Sequence, residues 1–207
     1  MSRGCPVRRS DDERWADERQ RWDEKYREAA GTATWTHPDE LLIDAFSEYF
    51  RPAFPAGGTA LDLAGGAGRN AIWLAKQGWD VTLIDISEIG VGQARQQAGP
   101  LASHMHFVVD DLTRFQASQI QFDIVMAFFY LDRKIFPEIV KTVKPGGFLI
   151  YKTLTLQQLK LAGGPKDPAH LLAPGELLQL ANGLLVLHYR EEVERKATAQ
   201  LVARRPS

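Results

Sequence analysis

The sequence of 207 residues contains a single cysteine, Cys5. This scarcity excludes an internal disulfide and any zinc site built from several cysteines. No apolar stretch approaches the ~18 residues of a membrane-spanning helix, so we expect no contact with a membrane. The first ten residues lack the apolar core of a secretory signal, and we therefore expect a cytoplasmic protein.

An excess of charge of either sign is also absent, because 25 Lys and Arg residues nearly balance 26 Asp and Glu residues. The net charge of −1 offers nucleic acid no electrostatic attraction, so we expect no nucleic-acid partner. His104 and His106 share one face of a predicted strand, but no third ligand of suitable spacing accompanies them. We therefore expect no metal ion.

What the sequence does contain begins with a charged, helical amino-terminal region. We expect a flexible tail over residues 1–10, a helical lid over residues 11–50 and the main domain over residues 51–207. The lid is predicted to hold two helices, at residues 11–29 and 38–49. The first helix carries an aromatic stripe formed by Trp15, Trp22 and Tyr26.

The main domain alternates apolar strands with helices. Predicted strands span residues 59–63, 81–86, 105–109, 122–129, 148–153, 184–192 and 198–204. Predicted helices span residues 69–77, 87–98, 133–143 and 175–181. The first five strands are apolar throughout, as expected when helices cover both faces of a parallel sheet. Between the last two strands there is no room for a crossover helix, so they must form an antiparallel hairpin. The sequence therefore predicts an α/β fold with a doubly wound, mostly parallel, seven-stranded sheet that ends in this hairpin.

A glycine-rich loop follows the first strand of this sheet. Gly65, Gly66 and Gly68 leave the backbone bare between strand and helix, which lets a ligand approach closely. The spacing also fits the loose dinucleotide fingerprint, and Asp85 lies where a ribose-binding acid is expected. On this pattern alone, NAD and other adenosine ligands all remain open.

Asp62, at the end of the first strand, favours one of these ligands. A diphosphate about 5 Å from this carboxylate would be repelled by on the order of 3 kcal/mol at an effective dielectric of about 20. A ligand with a cationic head would be attracted instead. S-adenosylmethionine is such a ligand, since it carries an ammonium and a sulfonium at one end and adenosine at the other. Asp62 either binds the ammonium directly or braces the loop.

Residues 62–68 resemble the first motif of class I S-adenosylmethionine-dependent methyltransferases, which have a Rossmann-like fold. Asp85 matches the acid that holds both ribose hydroxyls in that family, and residues 110–112 are similar to its adenine-flanking segment. Residues 144–147 look like its turn before the fifth strand, and the closing hairpin is its sheet edge. Residues 22–26, 68–70 and 174–177 resemble the tellurite-resistance and thiopurine-methyltransferase-like branch of this superfamily.

The resemblance implies cofactor contacts from the amino-terminal helix, the glycine loop and the ends of the next three strands. These candidates are Trp22, Tyr26, Asp62, Ala64, Gly65, Gly66, Gly68, Arg69, Asn70, Asp85, Ile86, Asp110, Asp111, Leu112, Ala127 and Phe128. Asp85 could instead cap the next helix, and Ile86 and Leu112 could be core residues. The aromatic stripe, with Trp35, either packs on the body or caps the cofactor. Ala64 stands where the family motif has glycine, and its methyl group limits how closely a ligand can approach the loop backbone. An alanine is tolerated at this position if its φ is negative.

The methyl acceptor should face the ends of the fourth and fifth strands. Tyr130, Asp132 and His170 are candidate catalytic residues by location only, and Lys152 lies on the same side. No side chain is marked by the sequence as a base, which favours a small, soft acceptor that needs none. We expect a methyltransferase that uses S-adenosylmethionine and acts on a small molecule, with a thiol or a chalcogen oxyanion as the favoured class.

Two alternatives come from other functional classes. An NAD(P)-dependent oxidoreductase is disfavoured by Asp62, by the terminal hairpin and by the lack of a separate substrate domain. A non-catalytic module that binds S-adenosylmethionine would keep Asp62, Asp85 and the glycine loop but would have no acceptor pocket.

Overall fold

A computed structural model describes residues 11–29, 37–117 and 119–207. The predicted tail at residues 1–10 and Trp35 lie outside the described residues. The helices are α1 (Asp11–Glu28), α2 (Glu40–Ala45), α3 (Arg51–Ala53), α4 (Arg69–Lys76), α5 (Glu88–Ala98), α6 (Phe136–Thr142) and α7 (Glu176–Leu180). The strands are β1 (Thr59–Leu63), β2 (Asp80–Asp85), β3 (Met105–Val109), β4 (Phe122–Phe128), β5 (Val143–Leu154), β6 (Leu185–Val193) and β7 (Ala197–Arg204). None of the helices in this part of the chain is both long and apolar enough to cross a bilayer.

The seven strands form one sheet in the order β3-β2-β1-β4-β5-β7-β6. Neighbours among the first five strands run parallel, whereas β7 pairs antiparallel with both β5 and β6. The predicted fold, including the terminal hairpin, is confirmed. β2 and β4 lie on opposite sides of β1, so the strand order reverses at β1. Such a reversal opens a crevice at the carboxyl ends of these strands.

Both faces of the sheet are covered, which explains why the strands are apolar throughout. On one face, α4 and α5 pack over β2 and β3, and α2 with the residues after it joins the same core, in which Phe50, Leu74 and Trp79 are fully buried. On the other face, α6 and α7 pack over β4, β5 and β7, with Phe136 and Tyr151 fully buried. The two layers hold the strand ends of the crevice in place.

Three predicted boundaries differ from the structure. The helix predicted at 133–143 begins only at Phe136, where a proline follows in the first turn. Residues 144–147, predicted as a turn, lie within β5, whose pairing with β4 shifts register between Phe122 and Ile124. The helix predicted at 38–49 is α2 followed by a π-helical turn, Phe46–Phe50, and α3. Local pattern marks the elements, but packing sets their ends.

Candidate active site

The glycine loop joins β1 to α4 and is held in a left-handed backbone conformation at several points. Gly66 and Gly68 have φ values of 55° and 80°, which only glycine adopts without strain. Ala64 has a φ of 56°, so the condition of a negative φ at this position is not met. A left-handed alanine costs about 1–2 kcal/mol, and the loop therefore carries strain where the family motif has glycine.

Asp62 lies beneath this loop and is almost completely buried. Its Oδ2 atom has no hydrogen-bond partner among the described residues, and a Cβ added to Gly65 would lie 2.8 Å from that oxygen. Burial raises the pKa of Asp62 to about 8, although Arg69 and the Ala71 amide pull it down. A buried, unpartnered carboxylate oxygen is costly, and a cationic ligand would relieve that cost.

Asp85 ends β2 and ties it to the glycine loop. Its Oδ2 accepts a hydrogen bond from the Gly66 amide and its Oδ1 from the Ser87 amide, both at 2.8 Å. Burial raises its pKa to about 6, and these amides lower it. Ser87, rather than Asp85, caps α5, because the Ser87 hydroxyl accepts from the Gly90 amide. The carboxylate keeps lone pairs for further donors such as ribose hydroxyls.

Helix α1 lies across the loop and brings its aromatic side chains to it. The Tyr26 ring is buried between Gly66 and Gly90, and a methyl group on either glycine would collide with it. The ring centroids of Trp22 and Tyr26 are 5.9 Å apart. Asp23 anchors the helix by accepting from the Ser87 hydroxyl at 2.6 Å and from the Ile89 amide at 3.1 Å. The structure therefore places Tyr26 directly on the glycine loop and Trp22 beside Tyr26.

The predicted adenine side lies after β2 and β3. Asp111 caps a short 3₁₀ turn, Leu112–Arg114, and accepts from the Thr113 amide and hydroxyl, both at 2.9 Å. Asp110 is exposed and accepts from the Asp111 amide. Leu112 is buried in the core, whereas Ile86 is only half-buried.

Four further cofactor candidates have structural partners. Asn70 is buried and its Oδ1 accepts from the Asp39 amide at 2.9 Å, so it fixes the start of α2 against α4. Ala127 and Phe128, at the end of β4, are buried in the two cores. Arg69 begins α4 beside these residues, with its Nη2 3.6 Å from Asp39 Oδ2.

The acceptor-side candidates lie after β4 and in the loop before α7. The Tyr130 hydroxyl is buried with no hydrogen-bond partner among the described residues, and burial raises its pKa. Asp132 accepts from the Lys134 amide at 2.9 Å. His170 is exposed in the 3₁₀ turn Pro168–His170, which Arg133 holds by donating to the Ala169 carbonyl. Asp132 lies near enough to Tyr130 to raise the pKa of its hydroxyl further, whereas no hydrogen bond or ion pair links His170 to either residue within the described part of the chain.

Sequence reasoning did not single out two charged residues that the structure adds to the site. Asp39 caps α2 and accepts from Lys152 Nζ at 3.0 Å. Lys196, in the β6–β7 turn, lies over the Phe129 ring at 4.2 Å from its centroid. The cap position of Asp39 was readable from the sequence, but its contact with Lys152, far along the chain, was not. The position of Lys196 follows from the topology, because the hairpin turn lies at the carboxyl edge of β5.

Comparison with known proteins shows what this arrangement is similar to. Residues 60–147 match the methyltransferase domain family. A putative methyltransferase of Bacillus subtilis, YqeM, is 30% identical over 126 residues, which are 55% of this chain and 51% of that protein. The chain thus spans about half the length of this curated relative.

Solved structures share the fold over most of the chain. Magnesium protoporphyrin IX methyltransferase (ChlM) from Synechocystis PCC 6803, solved with bound S-adenosylhomocysteine, has 17% identity and a TM-score of 0.69, covering 92% of this chain and 99% of its own. TehB from Haemophilus influenzae has 18% identity and a TM-score of 0.67, covering 89% and 67% respectively. Residues 60–147 are therefore similar to methyltransferase domains, and the chain shares the fold of these solved structures, as its motifs predicted.

Proposed function

We propose that the protein is a methyltransferase that uses S-adenosylmethionine and acts on a small molecule. The observation that carries this proposal is the buried Asp62 carboxylate, whose Oδ2 lies unpartnered under a bare glycine loop. This environment suits a cationic head group. A cationic ligand gains attraction by ionising this acid, whereas a diphosphate gains none, which argues against a nicotinamide dinucleotide.

The residues present fit the two ends of this cofactor. Asp62 and the loop glycines would hold its cationic end, and Asp85 would accept the ribose hydroxyls. When bound, S-adenosylmethionine supplies a methyl group on a positively charged sulphur, and that sulphur keeps the bonding pair as a neutral thioether when a nucleophile takes the methyl group. The chain's own task is to align the reactants and to exclude water.

Residues 11–50 act as a lid in this proposal. Helix α1 covers the glycine loop with Tyr26 and is anchored through Asp23 at the start of α5. Arg19 of α1 adds an ion pair with Glu88, the first residue of α5. Apart from the buried Tyr26 ring, these anchoring contacts are polar, so α1 can lift away at a smaller cost than an element of the core. Its aromatic faces would shield a sulfonium and attract it by cation–π interaction.

A small, soft acceptor such as a thiol or a reduced chalcogen fits the candidate side chains. Burial raises the pKa of Tyr130, so its hydroxyl stays protonated at neutral pH and can donate but not act as a base. Asp132 is engaged by the Lys134 amide and His170 is exposed. A thiolate needs no base at the moment of transfer, and its proton has already gone to solvent.

Calorimetric titration with S-adenosylmethionine, S-adenosylhomocysteine and NADH tests the cofactor. We expect the two sulphur compounds to bind and NADH not to bind. Mass spectrometry and headspace gas chromatography of reactions with thiols, selenite, tellurite and small amines then test the acceptor class. Binding of NADH in place of S-adenosylhomocysteine would overturn the proposal. Cofactor binding without any methylated product would support the non-catalytic module instead.

A further inference from the structure

A group of basic side chains surrounds Phe129 at the carboxyl edge of β4 and β5. We call Arg69, Lys152 and Lys196 the basic cluster. Lys196 Nζ lies 4.2 Å and Arg69 Cζ 5.8 Å from the Phe129 ring centroid. The Phe129 amide donates to the Lys152 carbonyl at 2.7 Å, so the residue at the centre of the cluster is fixed to β5. The three cations come from α4, β5 and the β6–β7 turn, which are far apart in the sequence.

Positive charge in this cluster exceeds the negative charge that the protein supplies. Asp39 is the carboxylate in contact with the cluster, 3.0 Å from Lys152 and 3.6 Å from Arg69. Lys196 has no ion pair within the described part of the chain. Burial lowers its pKa, and the neighbouring Arg69 and Lys152 lower it further while Asp39 raises it. The cluster therefore has an unmatched positive charge.

A fourth cation extends this surplus toward the lid. Lys25, on α1, lies over the Trp22 ring at 4.1 Å from its centroid. Burial lowers its pKa, and Arg21 and Lys196 lower it further. Glu18 is the nearby acid, but its Oε1 already accepts from Trp22 Nε1 at 2.9 Å and pairs with Arg21. An anion bound between α1 and the β6–β7 turn would relieve the mutual repulsion of Lys25 and Lys196.

The cofactor's own carboxylate does not remove the surplus. That carboxylate carries one negative charge. Arg69, which lies beside the glycine loop, is the cation among the candidate cofactor-binding residues and would pair with it. Lys152 is matched by Asp39, which leaves Lys196 and Lys25. Both are solvent-accessible, so a second ligand can reach them. Phe129 has a φ of 61°, a strained conformation that directs its ring toward Lys196.

We propose that the methyl acceptor is an anion, bearing a carboxylate or an oxyanion that Lys196 binds beside Phe129. The inference rests on the proposed function and specifies its substrate class. A cation that is partly removed from water and has no protein partner gains most from an anionic ligand. Lys152 and Lys25 add to the same field, and the nucleophilic atom of the acceptor would be oriented by this fixed charged end.

A matched pair of acceptors tests the charge preference directly. 4-Mercaptobenzoate and 4-mercaptobenzamide have the same thiol and ring but differ in one negative charge. Calorimetry on the protein saturated with S-adenosylhomocysteine should give the carboxylate a Kd at least about tenfold lower, the usual size of one charge-assisted contact. Methyl-transfer rates with S-adenosylmethionine should show the same preference in KM.

Two variants locate that preference at one side chain. Lys196→Gln should bring the two Kd values to within about threefold of each other, whereas Arg195→Gln removes the same charge from the same turn and should leave the ratio unchanged. The inference is overturned if wild-type protein binds S-adenosylhomocysteine but binds the acid no better than the amide. Equal effects of the two variants would also overturn it. Loss of S-adenosylhomocysteine binding by wild-type protein would instead overturn the proposed function.

Discussion

The carboxyl edge of the sheet is divided into an acidic half and a basic half. In the acidic half, Asp62 and Asp85 are short, buried side chains at strand ends, and backbone amides or bare loop atoms surround them. In the basic half, Lys152 and Lys196 have long side chains, and within the described residues Lys152 has an ion pair whereas Lys196 has none. The acidic half is buried and fixed by the backbone, whereas the exposed Lys196 of the basic half can be altered by a single surface change.

Removing Asp85, the proposed ribose-binding acid, should have the largest effect on the acidic half. Asp85→Ala should weaken S-adenosylhomocysteine binding by about 2–4 kcal/mol, because a charged, bidentate acceptor is lost and the Gly66 and Ser87 amides lose their partner. Asp80→Ala, at the exposed opposite end of the same strand, is the control and should bind normally. Calorimetric titration of both variants with S-adenosylhomocysteine measures the difference. Equal affinities would show that Asp85 does not bind the cofactor.

Asp39 is the acid in contact with Lys152 and Arg69 of the basic half. Its removal tests how much these contacts contribute to the stability of the protein. Asp39→Ala should lower the free energy of unfolding by about 2–3 kcal/mol, because α2 loses its cap and Lys152 loses its ion pair in a mostly buried position. Asp44→Ala, exposed on the same helix, should change stability little. Urea denaturation followed by circular dichroism measures both, and similar midpoints would show that the pair with Lys152 contributes nothing.

The acidic half was largely predictable from the sequence and the basic half was not. Asp62, Gly66 and Asp85 lie within one strand-loop-helix-strand unit, so spacing along the chain reports their proximity in space. Lys152 and Lys196 meet Arg69 only after β4, β5 and β7 are paired, and no local pattern encodes that pairing. Sequence reasoning placed Lys152 at the strand edge that is expected to face the acceptor, but it did not place Lys196 beside it.

The fold was predictable for a related reason, and its errors are local. Apolar runs and the short link between β6 and β7 determine the sheet and its hairpin without knowledge of side-chain contacts. The positive φ of Ala64 could not be predicted from the sequence. The conformation of this loop residue depends on how the loop packs over the Asp62 carboxylate and leads into α4. The start of α6 and the continuity of β5 through residues 144–147 also depend on packing.

The buried acid of the cofactor half should give the protein a pH-dependent stability. The folded-state pKa of Asp62 is about 8, well above its ordinary value of 3.8, so the folded state binds more protons between these limits. Its contribution is therefore fully present below about pH 4 and is lost as pH rises toward 8. Relative to Asp62→Asn, which cannot ionise, wild-type protein should lose about 1–3 kcal/mol between pH 5 and 8.

Urea denaturation at several pH values, without cofactor, measures this difference. Asp85 adds a loss of the same sign up to about pH 6, and it is present in both proteins, so it cancels in the comparison. Affinity for S-adenosylmethionine should change in the opposite direction and rise with pH, because a cationic ligand favours the ionised carboxylate. Parallel stability profiles for the two proteins would show that Asp62 is already ionised in the folded state.

The smallest expected effect concerns the strained residue of the acidic half. Ala64→Gly should stabilise the protein by about 0.5–1 kcal/mol, because relief of the left-handed strain outweighs the extra freedom of glycine in the unfolded chain. Ala67→Gly is the matched control in the same loop. Ala67 is buried and has no positive φ, so the same change should destabilise it. Thermal unfolding of the two variants should therefore shift in opposite directions. A shift in the same direction would mean that the φ of Ala64 carries no strain, and that the acidic half tolerates a side chain where its family motif has none.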